Sequence, residues 1–452
     1  MKRRSALVAN CLAVWALCAH LSGAEPTCET QKVLADEQDD LDIFGRSISV
    51  SGDVAIVGAW NDEGEGVPGV FAVGAAYVFR REGSEWIQEA RLIAPDAASE
   101  DRFGHVVSIH EDVAVVGAPT DDDACPGFPN CDSGSAYVFR FGDDGWALEE
   151  KLTPSDGESR DQFGLSLAVH DGVIAIGSPW EDEACGGSPG CNAGAIYMYR
   201  YDPESESWIE EEKLMAGDAE SMDQLAFSVA LHSGGVIAGA PTDDDDGVSS
   251  GAVYFFEYQV ERGRWAQVQK LRASDAALGD HFGRAVDMDG ERLVVGAVFD
   301  DDACRDDDLC DSGSAYVFRR TEAEREPWVE EGKLVADDGA KDDEMGEAVS
   351  ISGDVAVVGR RWDDTIEEDA GSAYVFRLAK GRWAQERKIV AGGVELRDRF
   401  GESVSVDRDH LWISAPSDDD AGNGSGAVYA YECKDSTRPS FARGDSNADG
   451  TA

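Results

Sequence analysis

Blocks of consecutive aspartates recur along this chain, and their carboxylates are the side chains most suited to chemistry. Thinner acidic stretches occur at Asp62, Asp182 and Asp363-Asp364. The full blocks are Asp121, Asp122 and Asp123; Asp243, Asp244 and Asp245; Asp300, Asp301 and Asp302; and Asp418, Asp419 and Asp420. Calcium takes about six to eight oxygen ligands and favours several carboxylates, so one interpretation is a surface that binds a cation or another ligand.

The same blocks also fit a structural role. Consecutive Asp side chains point in different directions, so Asp-Asp-Asp does not converge on one point as Asp-x-Asp-x-Asp does. Asp is also an ordinary turn residue that accepts hydrogen bonds from its own backbone. Both interpretations stay open at this stage. The sequence requires no cofactor, and Ca²⁺ is the one that the acidic loops would suit.

The cysteines are arranged as a disulfide framework. Three pairs share one C-x5-C spacing and predict the bridges Cys125–Cys131, Cys185–Cys191 and Cys304–Cys310. Zinc is a weaker alternative, because this spacing is unusual for its ligands and no His is nearby.

Residues 1–24 have the pattern of a secretory signal peptide. A basic start at Lys2, Arg3 and Arg4 precedes an apolar run, and small residues end at Ala24, where we expect cleavage. The run is shorter than the roughly 20 residues of a membrane anchor. We therefore expect a secreted or cell-surface protein without membrane insertion. A net charge of -52 argues against nucleic acid as a partner.

Seven copies of one unit make up the rest of the chain. Two degenerate copies are marked by "DQLA" from Asp223 and "DEMG" from Asp343, and the spacing is 55 to 63 residues. The other five carry Asp-x-Phe-Gly, starting at Asp42, Asp101, Asp161, Asp280 and Asp398. Alternating and β-branched runs between turn residues predict four strands per unit. The Asp of the motif is expected to accept hydrogen bonds that hold the turn into the first strand.

Four-stranded units repeated seven times predict an all-β fold, a seven-bladed β-propeller with four antiparallel strands per blade. Residues 31–35 match a fourth strand without a unit of its own, while the seventh unit stops after its third strand. The N-terminal strand is therefore expected to complete the last blade and close the ring. Cys28 and Cys433 would then meet, which predicts a Cys28–Cys433 bridge. We assign residues 25–433 to the propeller.

The unit resembles the FG-GAP repeat in its secreted bacterial form. Phe103-Gly104 is followed by Gly117-Ala118-Pro119, and the copy at 223–226 is followed by Gly239-Ala240-Pro241. The resemblance covers about residues 31–433. The propeller that it implies is similar in plan to the seven-bladed propeller of integrin α-subunits. Elsewhere the triplet reads Gly58-Ala59-Trp60, Gly177-Ser178-Pro179, Gly296-Ala297-Val298, Gly359-Arg360-Arg361 and Ser414-Ala415-Pro416. A tight turn replaces the integrin-type calcium loop, so those calcium sites are not carried over.

The last segment, residues 434–452, has no strand pattern and is interpreted as a linker with a truncated tail. Asp445, Asn447 and Asp449 match the first half of an EF-hand loop and look like the start of a dockerin-type repeat. They are candidate metal ligands. The sequence stops before the acid at position 12 of the loop, so tight calcium binding is not expected.

In an up-and-down blade, the acidic loop and the loop entering the next blade emerge on one face, called the acidic face below. This favours a non-catalytic extracellular module, a monomer or part of a longer chain, that binds a protein or glycan there. No nucleophile motif, phosphate loop or metal-ligating His cluster supports an enzyme. Two alternatives remain: a polysaccharide-acting enzyme with paired carboxylates in the central funnel, and a passive structural domain of a larger surface protein.

Overall fold

The computed structural model describes residues 28–63, 72–123, 131–186, 188, 190–301, 310–323 and 326–433. These residues form seven four-stranded antiparallel sheets, the blades of a propeller, and one short 3-10 turn at Glu183–Cys185. The predicted all-β fold with seven blades is confirmed. Within the described ranges, no helix is long and apolar enough to cross a membrane.

The strands of each blade follow one another from the channel outwards, after a first strand β1 (Cys28–Val33). Blade 1 contains β2 (Ser47–Ser51), β3 (Val54–Ala59), β4 (Ala75–Glu82) and β5 (Glu85–Leu92). Blade 2 contains β6 (Val106–His110), β7 (Val113–Ala118), β8 (Ser135–Gly142) and β9 (Gly145–Leu152). Blade 3 contains β10 (Ser166–His170), β11 (Val173–Ser178), β12 (Ala195–Asp202) and β13 (Ser207–Leu214). Blade 4 contains β14 (Ser228–His232), β15 (Gly235–Ala240), β16 (Ala252–Gln259) and β17 (Arg264–Leu271). Blade 5 contains β18 (Phe282–Met288), β19 (Arg292–Ala297), β20 (Ser314–Arg320) and β21 (Trp328–Leu334). Blade 6 contains β22 (Val349–Ser352), β23 (Val355–Arg360), β24 (Ser372–Ala379) and β25 (Arg382–Ile389). Blade 7 contains β26 (Val404–Asp407), β27 (His410–Ala415) and β28 (Ala427–Cys433), and β1 is its outermost strand.

The ring is closed by its two ends, as predicted. Strand β1 pairs antiparallel with β28, and the innermost strand β2 contacts both β6 and β26. The register sets Cys28 directly opposite Cys433. Their side chains lie outside the described part of the structure, so the Cys28–Cys433 bridge stays a prediction.

The hydrophobic core lies between the blades. The second strand of a blade is buried along all or most of its length, as in Val113–Ala118, because neighbouring blades cover both of its faces. At each junction the apolar residue of the motif fills the gap; it is Phe in five copies and Leu225 and Met345 in the two degenerate ones. Phe103, for example, packs edge-on against Tyr137 with ring centroids 5.3 Å apart. This explains the β-branched and aromatic runs of the repeat.

The glycines of the two halves of the motif touch across the blade boundary. A Cβ atom added to Gly58, which opens the triplet of blade 1, would lie 2.0 Å from the carbonyl oxygen of Gly104 in the Phe-Gly of blade 2. Gly104 itself has a φ of +87°, which L side chains rarely adopt. Glycine is therefore required at both of these places, and the contact fixes blade 1 against blade 2; the equivalent positions are Ala226 in blade 4 and Ser414 in blade 7.

Serines join neighbouring innermost strands around the channel. The hydroxyl oxygens of Ser47 and Ser49 in blade 1 accept hydrogen bonds of 3.1 Å from the backbone N–H groups of Val107 and Ile109 in blade 2. These N–H groups belong to a strand edge that has no further strand to pair with. The alternating serines of the repeat thus satisfy the inner edge of the next blade.

Candidate functional site

The first acid of every acidic loop is a buried anchor. Asp121 is 2% exposed, and its Oδ2 accepts hydrogen bonds of 2.9 Å from the Tyr137 hydroxyl and from Lys151 Nζ. Tyr137 belongs to the third strand and Lys151 to the fourth, so the carboxylate ties the loop to both. The equivalent acids, each paired with the basic residue of the fourth strand, are Asp62, Glu181, Asp243, Asp300, Asp363 and Asp418.

The second and third acids of the blocks have different partners from each other. Asp122 Oδ1 accepts a hydrogen bond of 2.9 Å from the Asp132 backbone, and Asp301 Oδ1 accepts bonds from the backbones of Cys310 and Asp311. The third acids are exposed and face the basic residue of the fourth strand: Asp123, Asp245 and Asp420 pair with Lys151, Lys270 and Lys32. Asp244 and Asp419 are exposed, and Asp302 lies outside the described residues. In blades 2, 4 and 7 the first and third acids therefore share one lysine, so a positive charge already lies where these carboxylates meet.

The Asp of Asp-x-Phe-Gly holds the turn into each blade, as expected from the sequence. In Asp101, Oδ2 accepts a hydrogen bond of 2.6 Å from the backbone N–H of Ala98, three residues earlier. All seven copies make this bond, the others being Asp42, Asp161, Asp223, Asp280, Asp343 and Asp398. The seven residues are buried.

Six of these seven turn aspartates have a raised pKa. Burial raises the pKa of Asp42 to about 7, and a second contribution comes from the nearby carboxylate of Asp62. Burial likewise raises the pKa to about 6 in Asp101, Asp161, Asp223, Asp280 and Asp398. Each of these carboxyls lies near the anchor acid of its own blade, and the two negative charges disfavour each other.

Blade 6 differs because a buried arginine lies between its turn aspartate and its anchor acid. Arg360 is 2% exposed and stands where the other blades have Ala or Ser. Its guanidinium contacts Asp343 and lies 3.4 Å from Asp363 Oδ2. The hydroxyl of Tyr374 accepts a hydrogen bond of 2.6 Å from the same group. Here a fixed positive charge separates the two carboxylates.

The acidic loops and the loops between blades meet on one face, as predicted. The backbone N–H of Phe163, which enters blade 3, donates a hydrogen bond of 3.0 Å to the carbonyl of Ser133 in the acidic loop of blade 2. Parallel bridges of this kind join six pairs of neighbouring blades. In blade 3 the two loops enclose a recess of about 250 Å³ lined by Asp156, Glu158, Asp161, Glu181, Asp182 and Glu183.

Five half-exposed aromatic side chains stand on the acidic face around the channel mouth, and sequence reasoning missed them. This aromatic rim consists of Trp60, Trp180, Phe227, Phe299 and Trp362. Phe227 lies at the start of an innermost strand, and the other four follow the ends of second strands. Most of these positions fall in or directly after the triplets that depart from Gly-Ala-Pro. Those departures from the repeat pattern were the signal by which the aromatic rim could have been found in the sequence.

Arginines cover parts of the aromatic rim. The guanidinium of Arg102 lies 5.0 Å from the Trp60 ring, and that of Arg284 lies 4.4 Å from the Phe227 ring. Arg361 and Arg399 lie 4.9 and 4.7 Å from Trp362. Such cation–π pairs hold the rings in place without removing them from solvent.

Two glutamates beside the aromatic rim are neutralised by arginines. Glu402 pairs with Arg46 at 2.6 Å and with Arg361 at 3.2 Å. Glu347 pairs with Arg284 at 2.8 Å. Burial alone would raise the pKa of Glu347, but the arginines Arg284 and Arg361 outweigh it and hold the pKa below its usual value. A general acid for glycoside hydrolysis needs the opposite shift.

The cysteines of blade 3 form the predicted Cys185–Cys191 bridge, with Cα atoms 6.1 Å apart. Cys131 and Cys310 are also disulfide-bonded. Their predicted partners, Cys125 and Cys304, lie outside the described residues. The tail candidates Asp445, Asn447 and Asp449 do as well.

Comparison with known families agrees with this geometry. The sequence matches the FG-GAP repeat in seven segments, one for each repeat unit. They are residues 28–79, 86–139, 146–199, 208–256, 265–318, 328–376 and 383–431. No curated protein matches the chain.

Proposed function

Since the chain belongs to the FG-GAP repeat family, we propose that it is a non-catalytic extracellular module that binds a protein or glycan through its acidic face. The family is typically non-enzymatic, and the FG-GAP propeller supports an interaction role in general. The repeats and the Cys185–Cys191 bridge favour an extracellular location. The observation that carries the binding proposal is the aromatic rim at the channel mouth.

The aromatic rim has the chemistry of a binding centre. Partly exposed Trp and Phe side chains supply large apolar contacts, and the neighbouring arginines supply directional hydrogen bonds. Trp180 and Phe227 lie edge-on with ring centroids 6.3 Å apart, so they present a joint surface. Exposed acids such as Asp123 and Asp420 lie on the same face beside lysines of the outermost strands, and they would attract a basic protein surface or hold the hydroxyls of a sugar.

Calcium is the cation that the acidic face would suit, and blade 3 offers the best place for it. The recess there collects six acidic side chains, and a bound cation would displace Lys213, which pairs with three of them: Asp156, Glu181 and Glu183. Glu181 Oε2 is buried and has no hydrogen-bond partner within the described residues. Calorimetric titration with Ca²⁺, with and without residues 434–452, tests this proposal. No heat and no thermal stabilisation in either form would remove it.

Arrays of glycans and of extracellular proteins test the binding proposal directly. The ligand identified there should lose affinity for the variant Trp362→Ala and retain it for Trp146→Ala. Trp146 is a matched control, because it is also half-exposed but lies on the outer strand β9. Equal binding by both variants would place the site elsewhere. Turnover of a polysaccharide would instead favour the enzyme, and no ligand at all would favour the passive structural domain.

A further inference from the structure

Three histidines come together at the end of the channel away from the acidic face. His110, His170 and His232 are the last residues of the innermost strands in blades 2, 3 and 4. The His170 ring lies between the other two, with centroids 4.3 Å from each. The three occupy the same position in consecutive repeat units, so the alignment of the repeats places them side by side.

An aspartate completes the group. Asp171 follows His170 in the turn to β11, and its carboxylate oxygens lie 3.8 Å from Nε2 of His110 and 3.5 Å from Nε2 of His170. One potential ligand atom from each of these three residues lies within 4.8 Å of the others.

Packing of the ring does not require histidine at this position. Elsewhere the equivalent residue is Ser or Asp and accepts a hydrogen bond from the backbone of the next blade. Ser352 Oγ, for instance, accepts one of 3.1 Å from Arg408, and Asp407 Oδ2 accepts one of 2.7 Å from Gly52. His110 Nδ1 makes the corresponding contact only at 3.5 Å, the outer limit of a hydrogen bond.

The other two histidines depart further from this pattern. His232 Nδ1 is buried and lacks a hydrogen-bond partner among the described residues. His170 is stacked between His110 and His232, and its Nε2 faces the carboxylate of Asp171.

We propose that His110, His170 and Asp171 bind one divalent transition-metal ion, for which Zn²⁺ is the reference, with His232 beside the site. Two imidazoles and a carboxylate with an open fourth position are a normal ligand set for zinc. Zinc–nitrogen bonds of about 2.0–2.1 Å require these ligand atoms to move closer together by about an ångström. The Asp171 side chain is 71% exposed in a turn and can make that movement. This site is separate from the acidic face and does not depend on the proposed function.

Zinc titration of the tag-free chain tests the proposal. Millimolar Ca²⁺ in the buffer occupies exposed carboxylates, so that calorimetry reports the histidine site. We expect one Zn²⁺ per chain, and Co²⁺ in its place should give the visible absorption of a tetrahedral site. His170→Gln should weaken binding by about tenfold or more, whereas His281→Gln, at the acidic face, should not change it.

Asp171→Asn separates loss of a ligand from loss of folding. This residue is exposed and outside the hydrophobic core, so the variant should fold normally and still lose affinity for Zn²⁺. Absence of saturable Zn²⁺ binding in the natural chain would overturn the proposal. Equal affinity in the natural chain, Asp171→Asn and His170→Gln would overturn it as well.

Discussion

Replacement of the buried arginine in blade 6 tests how charge is balanced within a blade. In Arg360→Met the aliphatic volume is retained and the guanidinium is lost. Asp363 keeps Lys388 at 2.5 Å, but the buried Asp343 loses the cation that contacts it. Removing one partner of a buried ion pair costs about 3–5 kcal/mol, because an uncompensated charge stays buried. Cooperative unfolding of a ring of this size would then show a melting temperature lowered by about 4–6 °C.

The loss should depend on pH in a defined direction. Without Arg360, Asp343 would sit in the same surroundings as the other turn aspartates, whose pKa values are about 6 to 7. It would be charged at pH 8 and protonated at pH 5. The variant should therefore recover about 2 kcal/mol of the loss when the pH is lowered from 8 to 5. The double variant Arg360→Met, Asp343→Asn should show the same recovery already at pH 8. Its stability difference from the natural chain should no longer depend on pH.

Urea unfolding of the three proteins at pH 8 and pH 5 measures these effects. The matched control is Arg397→Met, since Arg397 pairs with Glu368 at 2.8 Å in solvent, with both side chains more than 60% exposed. Its unfolding midpoint should not change measurably. The reasoning is refuted if Arg360→Met loses no more unfolding free energy than this control, or if its loss of unfolding free energy is equal at both pH values.

Three further predictions concern the whole ring. The melting temperature of the natural chain should rise when the pH is lowered from 8 to 5. The turn aspartates have a folded pKa of about 6–7 against an ordinary 3.8, so they bind protons more tightly in the folded state. A melting temperature that stays constant or falls over this range would contradict the prediction. The double variant Cys185→Ser, Cys191→Ser should lose about 2 kcal/mol in urea unfolding, since its bridge closes a short loop; no loss would show that the bridge is neutral. Cys433→Ser should lose more than that double variant under oxidising conditions, because the bridge predicted with Cys28 closes the ring; free thiols at both positions in the natural chain would remove the prediction.

The architecture could be predicted because it repeats. Seven copies of one pattern reinforce each other, so even the degenerate copies at Asp223 and Asp343 could be placed. The unpaired strand at 31–35 then fixed the closure of the ring. The role of the turn aspartates followed from chemistry alone, since a short acceptor before a turn has few alternatives. The different partners of Asp121, Asp122 and Asp123 could not be predicted, because they depend on where Tyr137 and Lys151 of the neighbouring strands lie.

The positions at which the units differ are the ones that can distinguish ligands, and they are unevenly distributed. A structural position must satisfy the same contacts in every blade, as the seven turn aspartates do. The position after the triplet is different: blades 2, 4 and 7 carry Thr120, Thr242 and Ser417, whereas blades 3, 5 and 6 carry Trp180, Phe299 and Trp362. Thr120 and Thr242 use their hydroxyls to hold the loop entering their own blade. An aromatic ring gives up that bond and remains half-exposed, which costs stability unless something packs on it. Four of the five rim residues lie in blades 3 to 6, and Trp60 lies in blade 1. If the rim binds a ligand as proposed, this asymmetry favours one ligand seated off-centre over blades 3 to 6 and argues against seven equivalent sites.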